Sequence, residues 1–195
     1  MNYPNGLKKD RTTNNNNLCN KYINYANRGM NLEDDLNKTN EYYRNIDKAY
    51  IYKKPTPIKI VKVNYKNNEI KEGYFTTPST TDYNGIYKGK YIDFEAKETK
   101  NCKNFPLTNI HPHQLKHLEN IEKHGGIAFL IVRFTKLNRT YLLLEKDLKN
   151  FLISNKKTIN IKYFDEKAYL IKEKYTPRVD YLEVLDKMGG IEYGK

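Results

Sequence analysis

Cysteine is nearly missing from this chain of 195 residues: Cys19 and Cys102 stand apart, in no paired motif. Two such residues are too few for a disulfide framework, which makes a reducing cytoplasm the expected compartment. Long hydrophobic runs are missing as well. The longest candidate, GIAFLIV at 126–132, is much too short for a membrane span and predicts a buried strand. The opening stretch MNYPNGLKKDRTTNNNN carries no apolar segment of the kind a secretory signal needs, so a soluble, cytoplasmic protein with no membrane partner is expected. Acidic residues are in short supply: 23 Asp and Glu stand against 35 Lys and Arg, a formal net charge of +12. An excess of that size points first to nucleic acid and second to an anionic membrane surface, with a lysine-rich compositional habit as the plain alternative. There are no internal repeats, and the length suits one domain with a sizeable core.

What is present divides the chain. Residues 1–20 are Asn-rich and cationic, with too little apolar surface to offset the entropy of ordering, and read as a disordered basic arm. Residues 21–195 read as a single domain. Leu32, Leu36, Tyr43, Ile46 and Tyr50 recur at helical spacing, Asn31 is a candidate N-cap, and Glu33, Asp34 and Asp35 suit the first turn. The prolines of KKPTP end that helix. IKIVKV at 58–63 alternates, NYKNNE reads as a turn and IKEGYF as a return strand, which predicts a hairpin over 58–75. Lys53, Lys54, Lys59, Lys62, Lys66 and Lys71 crowd it, so it is either a protruding basic arm or a solvated outer face. Asn84-Gly85 and Gly89 signal turns, with Asp82 at the end of one strand and 91–98 forming the next. A helix follows from Pro112, striped by Leu115, Leu118 and Ile121 and closed by Gly125-Gly126. IAFLIVRF and TYLLLE predict buried strands, and KDLKNFLIS and TPRVDYLEVLDKM short helices. The order makes an α/β domain.

The strand YIDFEAKE at 91–98 carries the chemistry. Alternation places Ile92, Phe94 and Ala96 on one face and Asp93, Glu95 and Lys97 on the other. Across a turn, Asp82 can lie beside Glu95 and Lys97. Two carboxylates suffice to hold a hard divalent cation whose remaining ligands are water and phosphate oxygens. A lysine two residues along the same face can hold or deprotonate an attacking water. Asp, a gap, then Glu-x-Lys is therefore a constellation for phosphodiester hydrolysis; as a pattern it also fits an edge strand with weak cross-strand ion pairs. HQLKH at 113–117 has the histidine spacing of a zinc protease, but Gln114 stands where that chemistry needs a glutamate base, leaving His113 and His117 as DNA-facing or capping residues.

NRGMNLEDDLNKTNEYY, KKPTPIKIVKV, YFTTPSTTDYNG, YIDFEAKET, FPLTNIHPHQLKHL and PRVDYLEVLD, in that order from about Asn27 to Asp186, closely resemble the RecU family, the Holliday-junction resolvases of low-GC Gram-positive bacteria. The resemblance implies a restriction-endonuclease-like, PD-(D/E)xK mixed α/β sheet flanked by helices, and a homodimer that cuts four-way DNA junctions with Mg²⁺ or Mn²⁺. It implies that the hairpin at about 53–76 is a stalk reaching into the junction centre. By residue, it implies Asp82, Glu95 and Lys97 as the catalytic set, with Asp82 and Glu95 on the metal. Thr80 and Thr81 match site-edge threonines and Gln114 a site glutamine able to orient a water or phosphate, which adds all three to the catalytic residues and Thr80 and Gln114 to the metal site; Glu33 matches an acid that reaches the metal through water. Arg28, Arg178, Lys59, Lys62, Lys66 and Lys71 become candidate phosphate contacts, and a recombinase filament a further partner. The Asn-rich arm has no counterpart, and SNKKTINI departs from the family's Gly-rich basic turn. A restriction-type nuclease on linear duplex and a non-catalytic DNA-binding protein are the competing readings.

Overall fold

The computed structural model describes residues 31–75 and 80–188. The Asn-rich arm and Arg28 lie outside the described residues. Chain order gives α1 (Leu32–Asn45), β1 (Tyr50–Lys53), β2 (Ile58–Asn64), β3 (Glu69–Phe75), β4 (Tyr83–Tyr87), β5 (Lys90–Thr99), β6 (Asn104–Pro106), α2 (Pro112–Lys123), β7 (Ile127–Phe134), β8 (Arg139–Leu144), α3 (Glu145–Leu152), β9 (Thr158–Asn160), α4 (Ile161–Lys167), β10 (Tyr169–Ile171) and α5 (Tyr181–Lys187). Asn31 caps α1 as expected, its side chain accepting from the Asp34 N–H at 2.7 Å.

Six strands form a mixed sheet in the order β1-β4-β5-β7-β8-β10, in which only the β5–β7 pairing is parallel. The parallel step needs a crossover, and α2 supplies it. This is the mixed sheet with flanking helices that the family resemblance implied. Leu32, Leu36 and Tyr43 of α1 and Tyr181, Leu182 and Leu185 of α5 cover one face, against Ile92, Phe94, Phe129 and Ile131. Tyr83, Phe94 and Phe129 stack across three adjacent strands at centroid separations of 4.9 and 4.8 Å. Leu148 and Phe151 of α3 and Phe164 of α4 cover the other face, against Leu130, Val132, Tyr141 and Leu143. Burial of both faces makes β5 a central strand, which overturns the edge-strand reading of its charges.

β2 and β3 form a separate two-stranded sheet, paired from Ile58↔Phe75 to Asn64↔Glu69 and exposed along nearly its whole length. The predicted hairpin is therefore an arm that stands off the body, not an outer face of the main sheet. Among the described residues no helix is long and apolar enough to cross a membrane.

Local expectations fail at two places. The first helix stops at Asn45 instead of running to Tyr50. Asp47 turns the chain with φ 52°, and Tyr50–Lys53 pairs with β4, where Ile51 is fully buried. Asn84-Gly85 is not a turn but lies inside β4, so Asp82 precedes that strand rather than ending one. The turn is Lys88-Gly89, both at positive φ, which suits a two-residue hairpin.

Candidate active site

The antiparallel register Tyr83↔Phe94, continued by one residue, sets Asp82 opposite Glu95. Asp82 is anchored there by its Oδ2, which accepts from the Ala96 N–H at 3.0 Å. Glu95 is fully buried, and neither of its carboxylate oxygens accepts a hydrogen bond of sound geometry; the Lys97 ammonium lies in ion-pair contact with it. A cleft at this end of the sheet is lined by Asn31, Glu33, Asp82, Lys97 and Glu98. The N-terminus of α1 is fastened to the same place, the Leu32 N–H donating to Glu98 Oε1 at 2.9 Å.

Burial, followed by the Asp82 charge, pushes the Glu95 carboxyl from 4.5 up to about 7, with Lys97 opposing. The folded protein thus keeps a proton on Glu95 over a range in which the unfolded chain has released it. Stability from this group is undiminished below about pH 4.5, falls as pH rises towards 7, and levels off above. At roughly 1.4 kcal/mol per unit, the loss is about 3 kcal/mol. Glu95→Gln is therefore expected to stabilise the protein in EDTA by up to about 3 kcal/mol at pH 8, and by nothing at pH 4.5. Urea unfolding at the two pH values checks this; equal stabilities at pH 8 would mean that Glu95 ionises freely.

A divalent cation fits such a pair. Among the described residues no group of three or more His, Cys, Asp and Glu is arranged to hold a metal. Two carboxylates are nonetheless enough for a hard cation that keeps its waters. A buried carboxylate in ion-pair contact with Lys97 and beside a second carboxylate is a donor set that a divalent cation would suit.

The remaining residues singled out in the sequence divide. Glu33 lines the cleft, half-exposed, with its carboxylate paired to Lys53. Thr80 and Thr81 turn to Lys54, and buried Thr81 also donates to Asp93. Gln114 is buried in the first turn of α2, its Oε1 accepting from the His111 N–H at 3.0 Å, a capping role. His117, part-buried in the middle of α2, contacts Asp93 at 3.1 Å and does not cap the helix. Arg178, partly exposed, pairs with buried Asp35 at 3.6 Å and with Glu173 at 3.9 Å. On the hairpin, Lys59 lies over the Tyr74 ring and Lys62 sits across from Glu72. The group around Asp93 is not visible as a unit in the sequence. Its one sequence signal was the i, i+2 placement of Asp93 on the face of Glu95.

A central strand presenting a buried carboxylate and a lysine, with a second carboxylate opposite, defines the class: a nuclease domain. A family model described as recombination protein U, RecU, matches residues 27–187. The Holliday junction resolvase RecU of Bacillus cytotoxicus is 47% identical over 191 residues, covering 94% of this chain and 96% of that protein. The corresponding protein of Oceanobacillus iheyensis is 49% identical, over 96% and 99%. The chain belongs to the RecU family. A solved archaeal Holliday junction resolvase, Hjc of Archaeoglobus fulgidus, aligns with TM-score 0.39 and 10% identity over 64% of this chain and 90% of its own.

Proposed function

We propose that this protein is a structure-selective endonuclease that resolves four-way DNA junctions by metal-dependent phosphodiester hydrolysis in recombination and repair. One observation carries the reading. The Asp82–Glu95–Lys97 set lies on the body from which an exposed hairpin with four lysines projects, and its relatives are named Holliday junction resolvases. Asp82 and Glu95 would hold Mg²⁺ or Mn²⁺, with Glu33 reaching it through water. The bound cation supplies charge stabilisation at the scissile phosphate and a more acidic water. Lys97 holds that water in line with the phosphorus or takes its proton. Thr80, Thr81 and Gln114 shape the surroundings of the site, through Lys54 and the α2 cap respectively. A homodimer would set two such sites on opposed strands, matching the symmetry of the junction. Tyr50, Tyr52 and Ile86, exposed at the β1 edge of the sheet, offer apolar surface for a second copy. Contact with a recombinase filament and a cytoplasmic location complete the reading.

The test is cleavage of a labelled mobile four-way junction and of a linear duplex of matching sequence, in Mg²⁺ or EDTA, with wild type and Glu95→Gln. Symmetric nicks in the junction alone, dependent on metal and Glu95, are expected. Cutting of the linear duplex would favour a restriction-type nuclease, and binding without cutting a DNA-binding protein.

The stalk lysines act through phosphate charge. Replacing Lys59, Lys62, Lys66 and Lys71 together by Gln is expected to reduce the slope of log Kd against log salt by about 3.6, at about 0.9 per lost contact. Junction binding measured between 50 and 200 mM salt reads this directly; an unchanged slope would remove the hairpin from the phosphate interface.

A further inference from the structure

Lys54 is the last residue before Pro55, where the chain leaves β1 for the stalk. Its backbone N–H donates to the Asp82 carbonyl at 2.8 Å. Its ammonium contacts Asp93 Oδ2 at 2.6 Å, Thr81 Oγ1 at 2.6 Å, Thr80 Oγ1 at 3.2 Å and His117 Nε2 at 3.4 Å. Asp93 is fully buried and Lys54 nearly so. Asp93 also accepts from Thr81 and from the Tyr91 hydroxyl at 3.0 Å. One ammonium therefore joins the residue entering the hairpin, two residues on its return side, the catalytic strand and α2. Asp93 stands two residues from Glu95 on the same face, and Thr81 is next to Asp82.

We propose that Lys54, Asp93 and His117 form a positioning unit that holds the stalk at a set angle to the catalytic strand, so that the point of cutting follows the branch the stalk engages. The proposal rests on the resolvase reading. The plainer account is a buried carboxylate that has merely been satisfied. That account does not require Lys54, because Thr81, Tyr91 and His117 already converge on Asp93. What Lys54 adds is a link between both roots of the hairpin and the strand. A buried ion pair is poor evidence for stability but can fix geometry, because its two partners tolerate few relative placements. Pro55 and Pro57 restrict the backbone between this link and β2, so an angle set at Lys54 is passed outward.

The test uses the full chain carrying two fluorophores on bio-orthogonal residues, one replacing Asn67 near the stalk tip and one replacing Lys123 on α2. The variants are Lys54→Met and Lys54→Met/Asp93→Asn. The double variant removes both charges, so it leaves no unpaired carboxylate buried and stays folded where the single variant does not. The width of the tip-to-body distance distribution is expected to at least double. Nicks mapped on a fixed four-way junction are expected to spread over several nucleotides around the branch, with junction affinity within about threefold of wild type. Loss of stability alone cannot move a nick. An unchanged width in a folded variant overturns the unit, and a broadened width with unchanged nick positions overturns its tie to cutting. A wild type that cuts no junction defeats the resolvase reading instead, and the distance distribution still decides whether the unit holds the stalk.

Discussion

Replacing Lys97 by alanine is expected to leave four-way-junction binding within about threefold of wild type while lowering the single-turnover cleavage rate on the order of 10³-fold. Binding survives because the charges that would carry it lie elsewhere, on the exposed lysines of β2 and β3. Cutting fails for two reasons that act together. The side chain that would hold the attacking water as an ammonium, or deprotonate it as a neutral amine, is gone. Its loss also removes the positive charge that keeps the Glu95 proton affinity down, leaving a fully buried carboxylate with only Asp82 beside it. Glu95 then retains its proton to a higher pH and competes less well for a cation. Cleavage by Lys97→Ala should accordingly regain part of its rate as pH is raised, more steeply than the wild type. Filter binding and rapid-quench cleavage of the same labelled junction separate the two effects. A parallel loss of binding and cutting would identify Lys97 as a phosphate contact or a structural residue.

The largest expected effect on stability comes from a glycine away from the chemistry. A Cβ on Gly85 would lie 2.2 Å from the Tyr50 carbonyl oxygen and 2.6 Å from the Ile51 Cα, both backbone atoms of β1. No rotamer relieves such a contact, so β1 must move off the sheet and give up the burial of Ile51. Gly85→Ala is expected to cost about 3 kcal/mol or more in urea unfolding. Gly89→Ala makes the contrast: a Cβ there meets nothing within 4 Å, and only the positive φ of 73° opposes it, at about 1 kcal/mol. Similar losses for the two variants would show that β1 is loosely held. The larger loss should reach the site as well, since β1 delivers Lys54 to Asp93.

These two glycines also show where sequence reasoning stops. Gly89 is a turn residue for a local reason, its left-handed backbone, and was legible. Gly85 follows Asn84 and has the signature of a turn, yet it lies in mid-strand because another strand passes too close for a side chain. A similar boundary runs through the candidate site. Alternation alone put Glu95 and Lys97 on one face, and chain order put Asp82 before them. Thr81 and Gln114 stood beside the right motifs, but their hydrogen bonds lead to Asp93 and to a helix cap, which no spacing displays. Lys54 looked like one of many lysines along a basic hairpin; only its burial against Asp93 sets it apart.

The amino-acid sequence by itself determined the features that depend on neighbours within a few residues. These are the Asn31 cap and acidic first turn of α1, the alternation of β5, the hairpin of β2 and β3, and the motifs that place the chain in its family. The tertiary structure alone decided that the polar face of β5 is buried rather than solvated, that Asp82 meets Glu95, and that Lys54 links the hairpin roots to the central strand. The physical reason is range. Caps, turns and alternation follow from steric and hydrogen-bonding preferences of adjacent residues, whereas burial and register across the sheet follow from the packing of α1, α2 and six strands at once.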